Sequence, residues 1–146
     1  MRILFLLLCA PAFAQDNAAV EKAVLAANAQ ATRAAEDRDL DRLFSFMAET
    51  SKGSIVQNGA LSLTPQEAKA KVASGFRAPV MVAYRWKQQY VTVLSPDAAL
   101  LVSEGETVIT PEGQSSTTVP FVQTTVWVQR DGVWKILHAH QSSPPR

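Results

Sequence analysis

The chain predicts an α+β domain, and three observations carry that prediction. Apolar residues recur at helical spacing only in the first part of the chain, up to about Gly75. From Val80 onward the sequence consists of long β-favouring runs. The breaks between those runs are hairpin breaks, too short for crossover helices. Helices first and a long antiparallel meander afterwards place the helices on one face of a curved sheet. The 146 residues contain no internal repeat and no low-complexity linker. A chain of this length buries roughly two-thirds of its unfolded surface, enough for one core.

The first element is a helix from about Asn17 to Asp37, with Val20, Val24, Ala27, Ala31 and Ala34 along a narrow face of small residues and Asp16 as its cap. Such a face suits close approach to something flat, as a sheet is. A second, short helix carries Leu40, Leu43, Phe44 and Met47 on one side and starts at Asp39. Next, Ile55-Val56 and Leu61-Ser62-Leu63 flank Asn58-Gly59, two residues that tolerate positive φ, which marks a tight hairpin. Thr64-Pro65-Gln66-Glu67 then supplies a capping hydroxyl, a proline at the first helical position and a glutamate at the third, opening a helix that ends near Gly75. Four strands follow: Val80–Leu94, Ala98–Thr110, Val119–Arg130 and Val133–Ser142. The breaks are Ser95-Pro96-Asp97, Pro111 to Ser116, and the tight turn Asp131-Gly132.

The N-terminus has the pattern of an export leader. Arg2 precedes the apolar run Ile3–Cys9, and Ala10-Pro11-Ala12-Phe13-Ala14 offers a small-x-small cleavage site. The run is well short of the ~20 residues needed to span a bilayer, and Leu8 before Cys9 is too large for lipoprotein processing. Residues 1–14 read as a signal peptide and residues 15–146 as a periplasmic or secreted domain. Cleavage removes the single cysteine. It also reduces the 14 Lys and Arg to 13, against 13 Asp and Glu. A charge-balanced domain has no basic surplus to recommend nucleic acid or an anionic membrane. Without cysteine there is neither a disulfide framework nor a thiol nucleophile. No phosphate-cradling glycine loop, dinucleotide fingerprint or Gly-x-Ser-x-Gly occurs, so no cofactor is expected and a serine nucleophile has no support.

The last hairpin assigns side chains to faces. With Arg130 opposite Val133, an uninterrupted ladder sets Trp127 opposite Ile136, Thr125 opposite His138 and Gln123 opposite His140, with Trp134 on the same face. The other face then holds Val126, Val128, Leu137 and Ala139. An aliphatic face of that kind is unsuited to water; a second copy of the chain is the expected cover, and the C-terminal tail or a loop is the alternative. A homodimer through this face is therefore expected.

The closing run "VWVQRDGVWKILHAHQSS" (Val126–Ser143) and the earlier "RDLDRLFSFM" resemble the SnoaL-like branch of the nuclear transport factor 2 superfamily. That group also includes ketosteroid isomerase, scytalone dehydratase and the association domain of calmodulin-dependent protein kinase. The most specific part is Trp134 after a tight turn, followed by His138, His140 and Ser142. The resemblance implies a cone: a strongly curved antiparallel sheet wrapped around a long N-terminal helix, two shorter helices, and a pocket at the open end. It also implies frequent dimerisation through the outer sheet face. Members of the ketosteroid isomerase kind use a carboxylate base in the hairpin after the second helix. Here that stretch, Ser51 to Ser62, contains no Asp or Glu, and the first helix has no tyrosine. Steroid-type isomerisation therefore lacks its base.

The candidate site follows from the cone and the hairpin register. His138 and His140 are candidate general acid–base groups, because histidine titrates near neutral pH, or hydrogen-bonding clamps for a ligand. Gln123 and Thr125 extend the polar patch, while Trp127, Trp134 and Ile136 form an apolar wall. Tyr84 and Trp86, which alternate with Gln88 and Tyr90 along one face of the first long strand, extend it. A metal would need a third ligand, which Glu104 or Glu106 on the neighbouring strand could supply; no metal is assigned, and Glu104-Gly105-Glu106 reads better as a bulge or strand edge. The histidines can alternatively do no more than bond the first helix at Asn28 or Gln30. Fold does not fix function. The leading expectation is binding of an unidentified small, partly apolar molecule. The alternatives are a small lyase or isomerase using a cavity histidine, and an association module whose cavity is filled by side chains.

Overall fold

In the computed structural model, residues 12–144 are described; the leader expected at residues 1–14 falls, up to residue 11, outside the described residues. The elements run α1 (Ala12–Glu36), α2 (Leu40–Ser45), β1 (Ile55–Gln57), β2 (Ala60–Ser62), α3 (Pro65–Arg77), β3 (Val80–Ser95), β4 (Ala98–Pro111), β5 (Thr117–Arg130) and β6 (Val133–Ser142). All of them were expected, and most bounds shift by no more than a few residues. Two differences concern helices. Helix α1 begins at Ala12, so Asp16 stands inside it and not at its cap, and α3 continues two residues past Gly75.

Local chemistry explains the joints. Asp39 caps α2 by accepting from the Arg42 amide at 2.9 Å. Thr64 Oγ1 accepts from the Glu67 amide at 3.1 Å, and the Glu67 carboxylate returns to the Leu63 amide at 2.7 Å, one residue beyond the usual reciprocal bond. Both two-residue turns take the left-handed conformation at each position: Asn58 and Gly59 at φ 50 and 76, Asp131 and Gly132 at φ 51 and 77. Their twist suits a hairpin.

The sheet has six strands in the order β2-β1-β6-β5-β4-β3. It is antiparallel except where β1 runs parallel to β6, with Ile55 beside Ala139 and Gln57 beside Gln141. That parallel pair is an addition to the expected meander. Helix α1 crosses the concave face. Val24, Ala31, Ala99, Leu101, Trp127, Trp134 and Ile136 form the core, with Val20, Ala27, Leu43 and Met47 against it. The narrow small-residue face read from α1 is the face that packs: Val24 and Ala34 are fully buried and Ala31 nearly so. Burying aliphatic side chains stabilises by roughly 25 cal/mol per Å² removed from water, and small residues let the helix approach the sheet closely enough to exclude water.

Two bulges decide which side chains face inward, and both correct the straight-ladder reading. In β3 the pairing slips between Trp86 and Gln88, opposite Gly105. Tyr84 and Trp86 therefore point to the concave side, while Gln88 and Tyr90 leave it; Tyr90 is 62% exposed. In β6 the expected register holds from Arg130–Val133 to Trp127–Ile136 and then slips by one, so that His138 lies opposite Val126, Ala139 opposite Thr125 and His140 opposite Thr124. A one-residue slip moves every later side chain to the other face. The reason lies on the free edge of β6, which two different segments cover. Ile136 exchanges backbone bonds with Phe46 and Ala48 (2.7 and 2.8 Å), whereas Ala139 donates to Ser54 at 3.0 Å. Leu137 falls between these two docking segments and is the residue left without a partner.

Candidate functional site

Between α1, the two short helices and the sheet lies a cavity of about 180 Å³. Tyr84 and Trp86 of β3, Gln123 of β5, and Ile136, Ala139 and Gln141 of β6 contribute to its sheet wall, with Ile55 and Gln57 from β1. Helix α1 adds Asn28, Ala31, Thr32 and Ala35. Leu43, Phe44 and Met47 from α2 and the residues after it, and Val72 and Phe76 from α3, close the remaining side. A wider and more open groove of about 390 Å³ runs along Glu104, Pro120–Val122 and the tail residues Ser142–Pro144. It is a shallow surface feature in which few polar groups converge, so the inner cavity is the candidate site.

The cavity's polar groups are neutral. Four carboxamides, Asn28, Gln57, Gln123 and Gln141, come from four different elements, and the Thr32 hydroxyl joins them. Gln57 and Gln141 face each other across the parallel pair, with Nε2 to Oε1 at 3.5 Å. Tyr84 is the one ionisable side chain in the lining. Burial pushes its phenol above the ordinary 10.0, the nearby Glu36 carboxylate adds to the rise, and Arg38 offsets part of it. The phenol therefore stays protonated and can donate. Glu36 itself accepts from the Tyr84 amide at 2.8 Å, which anchors the end of α1 to β3.

The aromatic wall is well defined. Tyr84 and Trp86 stack with ring centroids 6.1 Å apart, and Phe121 meets both edge-on at 5.9 and 5.3 Å. Gly105 makes this arrangement possible, because a Cβ there would lie 2.8 Å from the Arg85 carbonyl and 3.2 Å from the Trp86 ring. The Trp86 indole N–H and the Gln89 amide nitrogen are buried without a partner among the described residues.

The structure separates the residues singled out in the sequence. Gln123, Tyr84, Trp86 and Ile136 lie in the cavity wall. Thr125, Trp127 and Trp134 are core residues: Trp127 is fully buried, its Nε1 donates to Thr125 Oγ1 at 2.9 Å, and Thr125 in turn bonds the Leu101 carbonyl. His138 and His140 are brought to neither place. The Leu137 bulge turns both to the outer face, where His138 Nδ1 lies 3.1 Å from the Gly53 carbonyl and His140 is exposed. Ala139, expected on the outer face, turns into the cavity for the same reason. Glu104 and Glu106 pair with Lys87 at 4.0 and 2.8 Å. Among the described residues, no three His, Cys, Asp or Glu side chains come together as metal ligands. No helix among them is long and apolar enough to cross a membrane.

Sequence reasoning did not single out Gln57, Gln141, Thr32, Phe44 or Phe76 as lining residues. Asn28 had a signal, a polar side chain four residues after Val24 on the apolar face of α1. Gln141 had none, because its direction depends on the bulge.

The family model for the SnoaL-like domain matches residues 24–146, and the chain belongs to that family. No curated protein sequence matches significantly. Among solved structures, a proposed scytalone dehydratase from Novosphingobium aromaticivorans superposes with a TM-score of 0.81 at 9% identity, covering 91% of this chain and 89% of that one. A proposed dehydratase of the NTF2-like family from Streptomyces avermitilis gives 0.77 at 18% identity, covering 89% and 99%. A hexachlorocyclohexane dehydrochlorinase from Novosphingobium barchaimii gives 0.73 at 18% identity, covering 90% and 91%. At these identities the likeness establishes the fold: an NTF2-like α+β domain with a curved, open six-stranded sheet.

Proposed function

We propose that this SnoaL-like domain binds a small, uncharged, partly apolar molecule in the cavity between α1 and the sheet. The observation that carries the reading is the lining itself: carboxamides, a hydroxyl, a phenol held neutral and aromatic rings, without an ionised side chain. A charged ligand would lose its hydration there and gain no counter-charge. The open cavity also favours a ligand site over a cone filled by its own side chains. A lyase or isomerase using His138 or His140 loses support, since neither reaches the cavity wall. The proposed dehydratases and the dehydrochlorinase of the same fold keep proton-transfer chemistry in view as a second reading; in this chain Tyr84 is the lining group with a proton to give.

Two further parts of the proposal concern where and how the domain works. The leader pattern at residues 1–14 supports export to the periplasm or medium, with a mature chain beginning at Gln15. The outer face supports a homodimer: Tyr90, Leu94 and Val122 are 62, 59 and 50% exposed, and Val126 and Leu137, towards the other end of β5 and β6, are half-buried. Val128 is already buried within one chain, so its share of any interface is small.

Native mass spectrometry of protein purified from its own cells tests these together. The expected spectrum shows a dimer of chains starting at Gln15, each with one small neutral molecule retained. Protein that is folded and empty, and that binds no member of a fragment library, would remove the ligand reading. A Val126→Glu variant is expected to run as a monomer, and an unchanged elution volume would remove the dimer.

A further inference from the structure

The cavity's hydrogen-bonding groups narrow the ligand class beyond "small and uncharged", and this step rests on the reading just given. Each carboxamide is donor and acceptor at once. Gln57 and Gln141 already make a single contact with each other, Nε2 to Oε1 at 3.5 Å. Whichever way the two amides are turned, one carbonyl and one amide N–H₂ of that pair remain free, side by side on neighbouring strands. Asn28 is 4% exposed, and neither it nor Gln123 bonds another side chain among the described residues. The space therefore presents donors and acceptors together, against a stacked wall of Tyr84 and Trp86.

Three ligand types fail this lining. An aliphatic hydrocarbon would strip water from the carboxamides and return nothing, at about 1–3 kcal/mol for each group left unpaired. A ketone or ether would satisfy the N–H groups and leave the carbonyl oxygens unpaired. A carboxylate or amine would enter without a counter-charge. A group carrying N–H beside C=O satisfies both kinds of partner, in the way that Asn and Gln read two neighbouring atoms of a base edge bidentately. The volume sets the size: about 180 Å³ is close to the roughly 150 Å³ of an engineered cavity that holds one benzene ring, so there is room for one ring.

We propose that the cavity takes a single uncharged ring with a cis-amide edge, N–H next to C=O, as in lactams, cyclic ureas and hydroxypyrimidine-type heterocycles. The edge meets Gln57 and Gln141, and the ring lies against Trp86 and Tyr84.

The test uses three one-ring probes of similar size: 2-piperidone, cyclohexanone and cyclohexanecarboxylate. Ligand-observed NMR titration is followed on the wild-type chain and on Gln57→Leu and Gln141→Leu, with thermal unfolding confirming that each variant is folded. The expected result is that 2-piperidone binds at least tenfold tighter than cyclohexanone, with the carboxylate weakest. Either substitution should reduce that preference to near parity, with 2-piperidone losing more affinity than cyclohexanone because it loses two partners where the ketone loses at most one. If one variant fails to fold, the other carries the comparison. Equal binding of ketone and lactam, tightest binding of the carboxylate, or a preference that survives both substitutions would overturn the proposal. Absence of binding by all three probes would also overturn it. The broader ligand reading would then stand or fall separately, on whether the purified protein retains a neutral molecule.

Discussion

The guanidinium of Arg38 sits 5.2 Å above the ring of Phe76 and donates to the carbonyls of Gly75 and Ala78. A residue in the turn after α1 thus holds the C-terminal end of α3, adding to the bonds that the Gly75 and Ala78 carbonyls already accept from the Ala78 and Val80 amides at 3.2 and 2.9 Å. Phe76 and Val72 of that end form part of the cavity wall, so the clamp sets how firmly the cavity is closed.

Arg38 also adopts φ 61, a left-handed conformation that is costly for a side chain other than glycine. Arg38→Gly removes the clamp and relieves the backbone at once, so the two effects oppose each other in global stability. Global stability is expected to change by no more than about 1 kcal/mol, the scale of an exposed cation–π contact. Amides from Val72 to Arg77 should exchange markedly faster, as read by hydrogen-exchange mass spectrometry. Arg38→Ala should cost about 1 kcal/mol more than Arg38→Gly, because it keeps the unfavourable φ. Unchanged exchange in α3 would mean that the helix end is held by other contacts.

Gly105 gives a second prediction. A methyl group there would lie 2.8 Å from the backbone carbonyl of Arg85, which cannot turn aside as a flexible side chain could. Gly105→Ala is expected to destabilise by about 1–3 kcal/mol through overpacking and to tilt Trp86 off the wall it shares with Tyr84 and Phe121. The urea midpoint and the tryptophan emission should shift together. A stable variant with unchanged emission would show that the bulge absorbs the extra atom.

Much of the fold was legible because its signals are local. The capping box at Thr64, the Asn58-Gly59 and Asp131-Gly132 turns and the small-residue stripe of α1 each act over a few residues, and each stands where it was read. Glu104-Gly105-Glu106 was legible too, since a glycine within a strand run marks a bulge, and the β3 bulge lies opposite it. The candidate site was only partly legible. Gln123, Tyr84 and Trp86 precede any slip that would turn them away, whereas His138 and His140 follow one. The slip at Leu137 depends on how the segments around Met47 and Ser54 dock on the edge of β6, and that contact spans more than 80 residues of chain. No local pattern around "ILHAH" encodes it.

The histidines supply a third prediction on the same ground. His140 is exposed on the outer face, so His140→Ala is expected to stay within about 0.5 kcal/mol of the parent chain, as surface changes usually do. His138→Ala loses its bond to the Gly53 carbonyl, a loss of about 0.5–1.5 kcal/mol. Neither should alter retention of the cavity ligand in native mass spectrometry. Loss of the ligand from His140→Ala would require a second site on the outer face.

Tyr84 carries the fourth prediction, a pH dependence. Burial, with the Glu36 charge behind it, raises the phenol of the folded protein above 10.0, while the unfolded chain titrates near that ordinary value. As pH rises through 10 the unfolded state releases this proton first and the folded state retains it. The unfolded state is then favoured increasingly until the folded phenol also ionises. The contribution is thus fully present below the unfolded value and is lost on the alkaline side. Tyr84→Phe keeps the ring against Trp86 and removes the titration, so its urea midpoint should fall less than the parent's between about pH 8 and pH 11. At pH near neutrality the two should differ little, because the hydroxyl faces a cavity and bonds no other side chain among the described residues. Parallel alkaline profiles would show that the phenol ionises as freely in the folded chain as in the unfolded one.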